Sequence, residues 1–129
     1  MLARSVAVAV AVVTVASCGG GDGGRGADDT LGSPTEPVSD VEIVAPALRF
    51  EPSKVFVPAG EEVDLTFEND DGGIAHNLRV RTDAPEDDQP ATDLQVGPDT
   101  QRITFTLDPG EYRFVCDIHP NMRGTITAV

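Results

Sequence analysis

Apolar residues along most of this chain recur at every second position, and no stretch sustains the 3.6-residue period of an amphipathic helix. Val63, Leu65 and Phe67 alternate with polar residues, as do Ile103, Phe105 and Leu107. Tyr112, Phe114 and Cys116 share one face of a strand, and His76, Leu78 and Val80 share one face of another, because successive strand side chains point to opposite sides. Turn residues punctuate the runs at Pro58-Ala59-Gly60, Asn69-Asp70-Asp71-Gly72-Gly73 and Asp108-Pro109-Gly110. Val41 to Phe50 and Lys54 to Val57 read as the first two strands and Thr125 to Val129 as the last. Between Arg81 and Asp99, three prolines and five acids predict an irregular surface excursion, with a short strand about Leu94 and Val96. Seven or eight short antiparallel strands in about 90 residues predict an all-β fold, a two-sheet Greek-key β-sandwich.

A chain of 129 residues has room for one such domain. Its N-terminus, Met1-Leu2-Ala3-Arg4 followed by an apolar run from Val6 to Ala16, has the layout of an export signal and is too short to span a bilayer. The run ends at Val15-Ala16-Ser17-Cys18, which resembles a bacterial lipoprotein box. That resemblance implies a signal peptide over 1–17 and lipidation of Cys18, placing the protein outside the cytoplasm on a cell membrane. Residues 18–40, rich in Gly, Asp, Ser, Thr and Pro with little to bury, are expected to form a flexible tether. Such a chain spans roughly 25 Å root-mean-square. The folded domain is expected over 41–129. With Cys18 acylated, Cys116 is the only other cysteine, so no intramolecular disulfide can form.

Removal of the signal takes Arg4 with it, leaving eight basic residues against 22 acidic ones and a formal net charge of −14. Nucleic acid is thereby excluded as a partner, since binding it needs a basic footprint. A basic protein partner, steered by charge, is compatible with this balance.

The remaining soft metal donors are few: His76, Cys116, His119 and Met122. Three fall in the run Cys116-Asp117-Ile118-His119-Pro120-Asn121-Met122, at i, i+3 and i+6 after a strand, so they line a tight loop that can wrap one ion. Pro120 biases His119 to extended backbone, and Gly124 permits the turn into the last strand. His76 lies 40 residues before Cys116, on the inward face of its strand. Taken singly, each has an ordinary structural reading: a satisfied buried histidine, a gap-filling methionine, an inert thiol. Together, two imidazoles, a thiolate and a thioether are the donors of a type 1 copper site.

These residues resemble the cupredoxins, the small blue copper proteins, and among them the amicyanin and plastocyanin type. Phe50-Glu51-Pro52-Ser53-Lys54-Val55-Phe56-Val57-Pro58-Ala59-Gly60 is similar to their early strand pair, His76-Asn77 to their first-ligand strand, and Tyr112-x-Phe114-x-Cys116-x-x-His119-x-x-Met122-x-Gly124 to their ligand loop. The resemblance spans Val41 to Val129. It implies one copper ion with His76, Cys116 and His119 as equatorial ligands and Met122 as the axial one. It further implies that Asn77 ties the two ligand-bearing segments together by hydrogen bonding. Asp117 departs from the pattern, and an anion beside the thiolate is expected to favour Cu(II) and lower the potential.

The expected function is electron transfer by a monomer cycling Cu(II)/Cu(I), with His119 as the exit port and a transient redox partner. Ile74, Ile118 and Pro120 are candidates for an apolar rim around it. The alternative is an extracytoplasmic copper-binding or copper-delivery protein sharing the same ligands, and zinc as a structural ion is a third reading. The absence of Met-rich or His-rich tracts favours the carrier. Catalysis is not expected. Hydrolysis lacks a general base once both histidines bind metal, a Cys116–His119 nucleophile pair is better placed to chelate, and two histidines are too few for a multicopper oxidase.

Overall fold

The structure, a computed structural model, describes residues 29–129. The signal peptide, Cys18 and most of the Gly-rich segment lie outside the described residues. Ten strands follow in order: β1 Thr30–Leu31, β2 Asp40–Ala45, β3 Lys54–Val57, β4 Glu62–Asn69, β5 Ala75–His76, β6 Arg79–Val80, β7 Gln95–Val96, β8 Asp99–Thr106, β9 Gly110–Cys116 and β10 His119–Ala128. One turn of 3-10 helix, Glu86–Asp88, is the only helical element among the described residues. No helix there is long and apolar enough to cross a membrane.

A five-stranded sheet, β1-β3-β10-β9-β6, faces a three-stranded sheet, β2-β4-β8, and the short pair β5-β7 lies beside them. This is the all-β sandwich that the alternation predicts. The side chains at every second position of β2 and β4 (Val41, Ile43, Ala45; Val63, Leu65, Phe67) are buried, and Val55, Val57, Phe114, Ile126 and Ala128 come in from the larger sheet. Phe50 bridges the layers, with its ring 5.9 Å from that of Phe67 and 5.2 Å from that of Phe114, edge-on to both.

Three particulars differ from the expectation. Pairing is mixed, since β1 with β3, β3 with β10, and β2 with β4 are parallel. The first long strand stops at Ala45, because Ala47 and Leu48 take left-handed backbone (φ 50° and 61°). The folded part also begins earlier than residue 41. Thr30 and Leu31 pair with Lys54 and Val55, Leu31 packs on the core, and the Val38 N–H donates to the Phe56 carbonyl at 2.9 Å. The short apolar content of 30–38, only Leu31 and Val38, conceals this docking at the sequence level.

The excursion over 81–99 is irregular as expected, with β7 inside it, and it is pinned at one buried point. Thr92 Oγ1 accepts the Leu78 N–H at 2.9 Å, and the Thr92 N–H donates to the Leu78 carbonyl at 2.9 Å.

Gly124 holds a close approach. A Cβ there would lie 2.1 Å from Phe114 Cζ, so the ring packs flat across the glycine between β10 and β9. Gly124→Ala is expected to cost about 1–3 kcal/mol through overpacking. A domain of this size should then melt roughly 4–8 °C lower per kcal/mol, read by thermal unfolding of the metal-free protein.

Candidate metal centre

β9 delivers Cys116 at its inward-facing end, and the chain returns through Asp117 and Ile118 so that His119 opens β10 directly opposite Cys116. The next residue of β10 in register is Arg123, opposite Val115, so 120–122 bulge out of the ladder. Pro120, which has no N–H to give a ladder, suits this position. The bulge turns Met122 inward: it is buried although Asn121 and Arg123 on either side are exposed.

His76 arrives from β5, completely buried. The alternation that placed it inward is only partly kept, since β5 ends at His76 and Asn77 is buried beside it. His76 Nδ1 lies 3.1 Å from His119 Nδ1 and 3.9 Å from Cys116 Sγ, and Cys116 Sγ lies 3.5 Å from His119 Nδ1. A circle through the corners of a triangle with these sides has a radius of about 2.0 Å, close to the roughly 2.0–2.3 Å of metal–nitrogen and metal–sulfur bonds. One ion can therefore bond all three atoms at once. Among the described residues the one cysteine is the buried Cys116, and no other group of three metal-ligating His, Cys, Asp or Glu side chains is found there.

Two further side chains make these positions possible. Asn77 Oδ1 accepts the Asp117 N–H at 2.8 Å, and Asn77 Nδ2 donates to Asp117 Oδ2 at 2.7 Å, so the His76 segment and the Cys116 loop are joined by two bonds across 40 residues. Asp71, which sequence reasoning placed in a turn and gave no role, accepts the His76 Nε2–H at 2.6 Å. The carboxylate also accepts N–H groups from Ala47 at 2.7 Å and Leu48 at 2.9 Å, so it has acceptor work only, and a proton on His76 Nε2 is what it can bond. The Nδ1 lone pair then points at the metal position. An acid five residues before the ligand in a Gly-rich turn was the available signal. Nothing in the spacing says which of Asp70 and Asp71 turns inward. Asn69 decides it, because its Oδ1 accepts the Asp71 N–H at 2.9 Å and its Nδ2 holds the Ile74 and Gln95 carbonyls.

Asp117, expected as a bare anion beside Cys116, is instead paired with guanidinium groups. Arg79 Nε donates to both carboxylate oxygens at 3.0 and 3.1 Å, Arg79 Nη2 donates at 2.9 Å, and Arg81 lies 3.9 Å away. These bonds from Arg79, with that from Asn77, outweigh burial and hold the Asp117 carboxyl below its usual range. For Asp71, burial is the largest single influence and opposes ionisation, but the Leu48, His76 and Ala47 hydrogen bonds together prevail, and its carboxyl is also held low.

A β-sandwich carrying two imidazoles, a buried cysteine sulfur and a buried methionine defines a mononuclear copper protein, with a type 1 donor set for one ion. The family model of the cupredoxin-like domain matches residues 6–128, and the chain belongs to that family. Among solved structures, dithionite-reduced auracyanin from Roseiflexus castenholzii is similar with a TM-score of 0.64 and 22% identity, over 72% of this chain and 98% of that one. Rusticyanin from Thiobacillus ferrooxidans is similar at 0.60 and 24% identity, over 80% and 84%. The Cu-containing nitrite reductase of Thermus scotoductus is similar at 0.56 and 27% identity, over 78% of this chain but only 28% of that enzyme. No curated protein matches the chain.

A carboxyl whose folded pKa is depressed stabilises the fold above its unfolded pKa and loses that contribution as pH falls through the folded value. Asp71 and Asp117 are both of this kind. The metal-free protein should therefore lose the contribution of these two carboxyls progressively as pH falls below about 4. Asp117→Asn should weaken that acid dependence and cost about 1–3 kcal/mol at neutral pH, read by thermal melts across pH.

Proposed function

We propose that this chain is an electron-transfer protein that binds one type 1 copper ion and works outside the cytoplasmic membrane, held there by a lipid on Cys18. The observation that carries the reading is the triangle of His76 Nδ1, Cys116 Sγ and His119 Nδ1, already at metal-bonding distance about one point. Bound copper supplies a one-electron couple. The chain's own residues do the rest: the two sheets and the Asn77–Asp117 bonds hold the donors in place, so little rearrangement accompanies a change of charge. Burial of His76, Cys116 and Met122 keeps water from the site, while His119 stays partly exposed.

Partner choice follows from that exposed edge. Ile74 and Ile118 are exposed apolar side chains near the ends of the ligand-bearing segments, with Pro120 exposed in the bulge, and such a small rim suits a transient protein partner. The formal charge of the chain, −13 with the signal retained, favours a basic one. An enzymatic role has no support in the site, because both histidines of the chain are taken as ligands and none is left as an acid or base.

Adding Cu(II) to the metal-free protein should produce an intense visible thiolate-to-copper absorption that is lost in Cys116→Ser. Met122→Leu should keep the colour and raise the potential. A colourless, weakly bound product would overturn the type 1 reading. In cells, Cys18→Ala should move the protein from the membrane to the soluble fraction, and mass spectrometry of the wild type should find a diacylglyceryl group on Cys18.

A further inference from the structure

Two carboxylates flank the ligands, and the fold compensates their charges unequally. Asp117 faces the guanidinium groups of Arg79 and Arg81. Asp71 has no Arg or Lys ion-pair partner among the described residues, and its contacts are the two neutral amides of Ala47 and Leu48 and the imidazole of His76. That turn is built for the purpose. Ala47 and Leu48 both take left-handed backbone without being glycine, a conformation that crowds Cβ against the following carbonyl. The reward is a pair of successive N–H groups aimed at one anion, a backbone nest. The carboxylate is thus clamped from its outer side while one oxygen reaches the buried ring at 2.6 Å.

We propose that Asp71 is a positioning residue for the copper site: it fixes His76 in the tautomer and orientation that present Nδ1, and its uncompensated charge, passed through the imidazole, favours Cu(II) and sets the reduction potential. A carboxylate hydrogen-bonded to the far nitrogen of a ligating histidine makes that ligand more basic, and a more basic ligand stabilises the higher oxidation state more than the lower. Asp117, although adjacent to Cys116 in sequence, contributes less because its charge is cancelled by Arg79. The inference rests on the copper electron-transfer reading for its redox consequence, but not for the tautomer.

The two parts are tested separately. In the metal-free full chain, nitrogen-15 NMR at neutral pH should show His76 as the Nε2–H tautomer with a slowly exchanging ring proton. Finding Nδ1–H instead would overturn the positioning role whatever the metal does. In copper-loaded protein, Asp71→Asn should lower Cu(II) affinity roughly 10–100-fold, with a smaller loss for Cu(I) and so a raised potential. Asp117→Asn should move the potential less, and Asp71→Glu, which retains the charge, should stay nearer the wild type than Asp71→Asn. A potential unchanged in Asp71→Asn, or moved further in Asp117→Asn, would overturn the tuning role and leave Asp71 a turn-closing residue. Should Asp71→Asn fail to fold, Asp71→Glu decides the matter: a potential close to wild type supports the proposal, and a large rise overturns it. If the wild type itself forms no coloured copper site, the proposed function fails while the tautomer measurement still judges Asp71.

Discussion

The metal centre depends on two chain segments 40 residues apart staying in register, and the double hydrogen bond between Asn77 and Asp117 is what couples them most directly. One segment carries His76, the other Cys116 and His119. The β6–β9 ladder, with Arg79 opposite Val115 and Val80 opposite Phe114, holds the same two segments side by side, and the Asn77 bonds extend that join to the ligand loop itself. Asn77 is nearly fully buried while Asp117 is partly open to solvent, so the two bonds run from the interior to the surface of the loop. The same residue cannot be replaced by a carboxylate of equal size, since one arm donates and the other accepts.

Around that link the polar groups form a graded shell. Arg79 reaches Asp117 with three contacts and spends its remaining arm on the Glu86 carbonyl at 2.7 Å, so the excursion over 81–99 is tied to the ligand loop as well as to Leu78. Asp71 draws the Ala47–Leu48 turn against His76 from the other side. The donors are therefore braced by residues from five separate stretches of chain, which is the arrangement a site of low reorganisation needs.

Much of this was legible in the sequence. Period-2 alternation marks β4, β8 and β9, and the spacing of Cys116, His119 and Met122 after a strand marks a tight loop with three soft donors. His76 was placed inward by parity, correctly, although the parity argument fails one residue later, where Asn77 is buried as well because it must meet Asp117. Other features were not legible because they depend on contacts distant in sequence. The parallel pairing of β3 with β10 joins positions about 70 residues apart, and nothing local announces it. The pairing of Thr30–Leu31 with β3 has only two apolar residues to signal it. Asp71 looked like an ordinary turn acid, since its role is created by the left-handed turn at Ala47 and Leu48 and by Asn69, none of which periodicity reveals. In the sequence Asp117 looks like a bare anion, because Arg79 lies 38 residues away.

The strand ends of the sandwich carry one more consequence. The five-stranded sheet is bounded by β1 and β6, each two residues long, and the three-stranded sheet by β2, whose outward residues Asp40 and Glu42 are acidic, and by β8. At β1, β6 and β2, short margins or negative side chains deny an incoming strand a long, neutral row of unpaired amides and carbonyls. Copies of this domain meeting at β2 would bring acid against acid, so that margin resists edge-to-edge pairing and leaves β8, whose exposed side chains are Thr100, Arg102, Thr104 and Thr106, as the longest open edge.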